Sequence, residues 1–281
     1  MALPSSPTNQ RDWSLVIVSC DNYNDTWPFL FHFLFKHWPD VPQPVYLIAN
    51  TSTFADERVQ TILVGPDNQW SANVHLGLAQ VPTSFVFMIL DDFFLNANVD
   101  GARINEAWRQ FHELNAVYLR ADNLKKAGEH IANTWVCPVK LEQLLYVGLD
   151  AVLFQKAYLQ KITEEPGLNI WRTQTKLRAL ARRDCRGHYF IEQRTPALIT
   201  YVESIKGYFW KPMGIEYLAR HGLRPDLNRR PYPPQGQDPF TRLYRSVLKR
   251  RMRFVNWLNA RLGGRLRPKV IQPLMEAVKP N

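Results

Sequence analysis

The chain has 281 residues, 46% of them apolar and 12% aromatic, enough to fill a large core and to exclude a disordered polypeptide. Its formal charge of +10 lies wholly at one end. Residues 240–281 hold 11 Lys and Arg against Glu276 alone, leaving 24 charges of each sign in residues 1–239. This is a neutral globule with a basic tail, and a uniformly basic protein is excluded.

The first ten residues lack the basic segment and apolar run of a secretory signal, and no apolar stretch approaches bilayer-spanning length. Cys20, Cys137 and Cys185 are widely spaced and form no paired metal-ligand motif, which fits free thiols in a reducing cytosol. Residues 13–19 (WSLVIVS) read as a first buried strand, followed by a polar turn over residues 20–25. A helix is expected over residues 28–38, with Asp25 or Thr26 as its cap, Pro28 in its first turn and Pro39 ending it. Strands follow at 45–49 and 59–64, a helix at 70–78, and a strand at 85–90. Alternation of this kind implies right-handed βαβ units and a largely parallel sheet.

Further on, residues 101–114 look helical and 116–120 read as a strand. Residues 144–162 suit a strand, ending near Leu149, and then a helix. The pattern weakens over 164–194, apart from a basic helix at 175–183. A late strand is expected at 195–202 and a short helix at 212–221, closed by Gly222. The Pro-rich stretch 231–236 is the clearest boundary, dividing a domain of residues 1–235 from a tail of residues 236–281.

The segment 85–95 (FVFMILDDFFL) is the most informative in the chain. Six apolar residues deliver Asp91 and Asp92 directly from the core, and burying unpaired carboxylates is costly unless a cation or ligand meets them. In open α/β sheets ligands gather at the carboxyl ends of strands. Hard oxygen ligands suit Mg²⁺ or Mn²⁺, and a metal-bound diphosphate is the natural occupant. Capping of the next turn by the same pair is the structural alternative.

Cys20-Asp21-x-Tyr23-x-Asp25-x-Trp27, His37-Trp38-Pro39-Asp40, residues 46–50 (YLIAN), residues 90–95 (LDDFFL) and later Ile205-Lys206-Gly207, with Gly214 and Gly222 beyond, occur in a telling order. That order resembles bacterial cell-surface polysaccharide glycosyltransferases of the GT-A fold, over roughly residues 14–222. The resemblance implies a Rossmann-related, mostly parallel sheet flanked by helices, with the basic amphipathic tail appended. It implies a nucleotide-sugar donor contacted by Asp21, Tyr23 and Asp25, with Asp91 toward the ribose and Asp92 on a divalent metal. Tyr23 either stacks on the base or covers the sheet edge, and turn formation competes for Asp21 and Asp25.

Two departures from the family pattern bear on mechanism. The usual acidic motif spaces its carboxylates two apart, whereas Leu90 precedes this pair, so the first acid is missing and metal dependence is open. The Glu that often follows a Trp in this group is replaced in Trp171-Arg-Thr-Gln174, and an amide accepts no proton. An inverting transfer needs a carboxylate near the acceptor hydroxyl. Asp150, expected after a strand and at the head of a helix, is favoured over Glu164 and Glu165, with helix capping as its competing role. Lys206 and Gly207 suit a loop closing on the diphosphate. The rival from another class is a non-catalytic relative that binds a sugar nucleotide or a partner.

In the tail, Leu243, Tyr244, Val247, Leu248, Phe254, Val255, Leu258 and Leu262 recur at helical spacing among Arg and Lys residues. A basic helix with Trp257 near its apolar face suits the headgroup layer of an anionic membrane, which places the protein peripherally on the cytoplasmic face beside a lipid-linked acceptor. Packing of the stripe back on the globule is the alternative. Nucleic-acid binding is the weakest reading, because no recognised motif accompanies the charge.

Overall fold

The structure, a computed structural model, describes residues 12–123 and 129–232. The described residues through Arg230 form one compact unit. The basic tail, and with it the expected amphipathic helix, lies outside the described residues.

The chain begins with β1 (Trp13–Val18), α1 (Trp27–His37), β2 (Val45–Ala49), β3 (Val59–Leu63), α2 (Gln69–Gln80) and β4 (Phe85–Leu90), in the order expected. Next come β5 (Phe93–Leu95), α3 (Gly101–Glu113), β6 (Tyr118–Asn123), β7 (Val136–Pro138), β8 (Val152–Gln155), α4 (Lys156–Thr163), α5 (Ile170–Arg183) and β9 (His188–Ile191). Two small hairpin strands, β11 (Ile205–Lys206) and β12 (Phe209–Trp210), follow β10 (Tyr201–Glu203), and α6 (Pro212–Arg220) closes the described elements.

Eight strands form the main sheet in the order β3-β2-β1-β4-β8-β6-β9-β7. β3, β2, β1 and β4 run parallel, and β6 and β9 pair parallel, while β8 and β7 run against their neighbours. The sheet is thus mixed and mostly parallel, flanked by helices. Alternate residues of β1 serve opposite faces, as a period of two requires. Leu15 and Ile17 join Phe33, Phe87, Trp108 and Phe111 on the side of α1 and α3. Val16 and Val18 join Val74, Met88, Leu159 and Leu177 on the side of α2, α4 and α5. Both faces are covered, which is why β1, β2 and the middle of β4 read as unbroken apolar runs.

Three expectations need correcting. Residues 144–149 do not form a strand: Leu141–Tyr146 is a 3₁₀ helix, and the strand begins at Val152. Asp150 therefore precedes a strand and heads no helix. Of the two cap candidates, Thr26 stands at the N-cap of α1, but its hydroxyl turns to the Tyr23 and Asp91 carbonyls and makes no cap bond. The late strand expected over 195–202 is limited to β10, which pairs antiparallel with β5.

Candidate active site

From β1 the chain passes outward to β2 and β3, and then returns to β4 on the other side of β1. The carboxyl ends of β1 and β4 therefore flank a topological switch point, the usual crevice for ligands in open sheets. Their register pairs Val18 with Leu90, so the next residues, Ser19 and Asp91, emerge side by side. Ser19 Oγ donates to Asp91 Oδ2 at 2.5 Å, and Trp27 Nε1 donates to Ser19 Oγ at 2.7 Å. Because β8 runs antiparallel to β4, its amino end brings Asp150 to the same edge. Antiparallel pairing of β10 with β5 sets Glu203 opposite Phe93, with the Ser204 amide bonded to the Asp92 carbonyl at 2.8 Å.

These ends enclose a cavity of about 410 Å³. Its lining includes Tyr23, Cys20, Asp91, Asp92, Lys206 and Gly207, together with Asp150, Ile170, Trp171 and Gln174. Asp67, held by Asn73 Nδ2 at 2.8 Å, and Trp70 complete the wall from α2 and the loop before it. Asp91 is only 8% exposed. Burial pushes its carboxyl up to about 7, against the opposing hydrogen bond from Ser19 and the charge of Arg230. Asp92 is pushed well above the carboxylate range, first by burial and then by the neighbouring charges of Asp91 and Glu203. Its carboxylate forms no ion pair and no hydrogen bond to another residue's side chain among the described residues.

The remaining sequence candidates separate into groups. Tyr23 faces the cavity, and its hydroxyl donates to the Gly207 carbonyl at 2.6 Å. Lys206 is an exposed lining residue beside Gly207, whose φ of +61° suits the turn between β11 and β12. Asp21 does not line the cavity. Its carboxylate accepts from the amides of Asn50, Thr51 and Ser52 at 3.0–3.2 Å and from Thr51 Oγ1 at 2.5 Å. Burial works to raise its pKa, but those hydrogen bonds outweigh it and hold the group below its ordinary value. Asp25 also stands outside the cavity, in a two-pronged ion pair with Arg230 at 2.8 and 2.9 Å.

Asp150 reaches the cavity while bound to Arg120, whose Nη2 lies 3.0 Å from its Oδ2. Burial raises its pKa and Arg120 opposes the rise. Arg120 is held in turn by both oxygens of Asp122 and by the Tyr146 carbonyl at 2.7 Å. A Cβ at Gly148 would lie 2.8 Å from Asp150 Oδ2 and 3.5 Å from Gln174 Oε1, so both polar groups lie close to this glycine. Trp171 is 73% exposed at the mouth, three residues before Gln174 on α5.

No group of three His, Cys, Asp or Glu side chains is arranged to hold a metal ion among the described residues. A Mg²⁺-like ion bound to phosphates asks less of the protein, because one or two carboxylates suffice when phosphate oxygens and water fill the other positions. Asp92, a carboxylate at the cavity wall with no competing side-chain partner among the described residues, fits that requirement.

Sequence reasoning did not single out Arg230, Arg120 or Trp70. Arg230 acts through Asp25, 205 residues away, and Arg120 reaches the site through Asp150, 30 residues on, so a local pattern carries no such signal.

No protein-family model and no curated protein sequence matches the chain. Among solved structures it is similar to residues 1–349 of TarS from S. aureus in complex with UDP-GlcNAc, with 12% identity and a TM-score of 0.48 over 74% of this chain and 63% of that one. It is also similar to the same TarS segment in complex with UDP, with 12% identity and a TM-score of 0.43 over 74% of this chain and 71% of that one. The bifunctional IspDF from Campylobacter jejuni matches with 12% identity and a TM-score of 0.38 over 64% and 49% of the two chains. In the first of these comparisons the chain spans less than two thirds of the TarS segment.

Proposed function

We propose that this chain is a glycosyltransferase that moves a sugar from a nucleotide-sugar donor to a saccharide or lipid-linked saccharide acceptor in the synthesis of a bacterial envelope polysaccharide. One observation carries the reading: the Asp91–Asp92 pair ends a core strand at the switch point of the sheet and faces a 410 Å³ cavity. The GT-A resemblance of the sequence motifs points the same way.

In this account the base and ribose lie along Tyr23 and Asp91. Asp91 Oδ2 already accepts from Ser19, which leaves Oδ1 for a ribose hydroxyl. Asp92 holds a divalent cation, Mn²⁺ or Mg²⁺, which when bound neutralises charge on the diphosphate. The Lys206 ammonium offsets the charge that develops on the departing nucleotide. Asp21 and Asp25 serve the donor side indirectly, the first by fixing the loop after β2 and the second through Arg230.

The acceptor end is formed by Trp171, Gln174 and Asp150. A sugar ring stacks on the exposed indole, the Gln174 amide hydrogen-bonds a hydroxyl, and Asp150 takes the proton of the attacking hydroxyl. The new bond forms from that oxygen to the anomeric carbon as the bond to the diphosphate oxygen breaks, its electron pair leaving with the nucleotide. The acceptor belongs at a membrane surface, and the basic tail would hold the protein there from the cytoplasmic side. No helix among the described residues is long and apolar enough to cross a membrane, so attachment by the tail is peripheral in this account.

Nucleotide release from a panel of UDP-, GDP-, CDP- and dTDP-sugars, with and without Mn²⁺, tests the proposal. The wild type should release one nucleotide, and Asp92→Ala should lose at least a hundredfold of that rate while keeping its circular dichroism. Undiminished release by the variant would refute the cation assignment. Binding without release by the wild type would favour the non-catalytic alternative.

A further inference from the structure

Arg230 is the last residue of the compact unit and is 1% exposed, an unusual position for a guanidinium. Its Nε and Nη2 grip both oxygens of Asp25 at 2.9 and 2.8 Å. Nη2 also donates to the Asn22 carbonyl at 2.6 Å, and Nη1 to the Tyr208 carbonyl at 3.2 Å. The guanidinium carbon lies 4.5 Å from the centre of the Tyr23 ring and 5.3 Å from that of Tyr208. One planar cation thus joins the turn after β1, the turn between β11 and β12, and the end of the domain. Three further links run between the same three segments: the Tyr23 hydroxyl to the Gly207 carbonyl, the Tyr208 hydroxyl to the Arg229 carbonyl at 2.5 Å, and the Arg229 guanidinium to the Asn24 side-chain oxygen. Tyr23, Lys206 and Gly207 form one wall of the cavity, and Arg230 stands directly behind it.

We infer that Arg230 is a positioning residue for the nucleotide end of the cavity: it fixes the face of Tyr23 and the height of the Lys206–Gly207 turn without touching the ligand. The inference rests on the donor-site reading above. The chemistry demands arginine, because a lysine ammonium cannot grip a carboxylate at two points, reach two carbonyls and stack flat on a ring at once. The segment that enters the basic tail is therefore part of the donor wall's support.

Removing one partner of a buried ion pair leaves an orphan charge and unfolds proteins for that reason alone, whereas removing both partners is far better tolerated. The informative variant is therefore the double substitution Asp25→Asn with Arg230→Met in the full-length chain, with Tyr23→Phe as a milder companion that deletes only the link to Gly207. Two measurements are needed: affinity for UDP, GDP, CDP and dTDP by calorimetry with Mn²⁺, and amide hydrogen exchange across the chain. The double variant should keep its cooperative melting transition and exchange faster only in residues 20–26 and 204–210 and in the segment that carries Arg230. Its affinity for the preferred nucleotide should fall at least tenfold. Tyr23→Phe should show the same local loosening over residues 204–210, with a smaller loss of affinity.

Wild-type affinity and unchanged exchange in both segments would overturn the inference, as would a uniform rise in exchange along the chain, which marks a purely global role. If the wild type binds none of the four nucleotides, the donor reading fails, and the exchange pattern alone still decides whether Arg230 holds the wall.

Discussion

Asp91 and Asp92 are adjacent in sequence and meet different surroundings. Asp91 is enclosed and bonded to Ser19, while Asp92 faces the cavity without a side-chain partner among the described residues. The raised pKa of Asp91 gives a pH signature whose sign is fixed. A carboxyl raised from 3.8 to about 7 binds its proton more tightly in the folded state. It therefore contributes stability below about pH 4 that is lost as pH rises through about 7. Asp91→Asn keeps an acceptor for Ser19 and cannot titrate. In EDTA, without nucleotide, the melting temperature of this variant minus that of the wild type should increase between pH 4 and pH 8 by roughly 5 °C or more. A difference that stays flat with pH would show that the carboxyl is not strained by burial.

At this scale the sequence reveals residues whose neighbours along the chain set their environment. The apolar run before Asp91 announces a carboxylate leaving the core, and the Gly after Lys206 announces a turn. The roles of Asp21 and Asp25 were not legible. Asp21 spends its oxygens on amides some 30 residues away, and Asp25 on an arginine 205 residues away. A turn aspartate looks the same in sequence whether it meets solvent, a ligand or a distant guanidinium.

Among elements, the packing of α6 against the link between β10 and β11 bears most directly on the site. A Cβ at Gly214 would lie 2.8 Å from the Ser204 Cα, Cβ and carbonyl oxygen, so the helix sits against backbone that cannot rotate away. Alanine favours a helix by about 1 kcal/mol over glycine, but forced overpacking costs typically 1–3 kcal/mol. Gly214→Ala should therefore be destabilised by up to about 2 kcal/mol in urea titration and should weaken nucleotide binding by shifting the Lys206 turn. A more stable variant would show that the helix moves freely on that link.

The long elements were readable and the short ones were not, for a physical reason. β1, β2 and most of β4 are buried on both faces, so their apolar runs are continuous. β5 and β7 have three residues and β9 four, too few for a period to emerge. Residues 141–146 contain three leucines and a tyrosine, and a short apolar run does not distinguish a strand from a helical turn. The first turn of α5 was missed because Ile170 is only partly buried and Trp171 and Arg172 face outward, leaving no buried residue before Thr173.

For the whole molecule, the asymmetry of charge is the property most open to experiment. If the tail docks on an anionic surface, the full-length protein should sediment with phosphatidylglycerol vesicles and release in high salt. Each basic residue near the surface contributes about 1 kcal/mol, so reversing Lys249, Arg250 and Arg251 to Glu should weaken the partition by about a hundredfold or more. Transfer to a soluble acceptor should not change. Equal sedimentation by the two proteins would remove the tail from the account.

Mn²⁺ electron paramagnetic resonance tests whether the acidic pair at the end of β4 engages a nucleoside diphosphate through a divalent ion. Free Mn²⁺ signal should disappear when protein is added to Mn²⁺ and UDP, or whichever nucleoside diphosphate binds, beyond the loss caused by the nucleotide alone. Asp92→Asn should abolish this extra loss. An identical titration by wild type and variant would show that Asp92 holds no ion on the nucleotide.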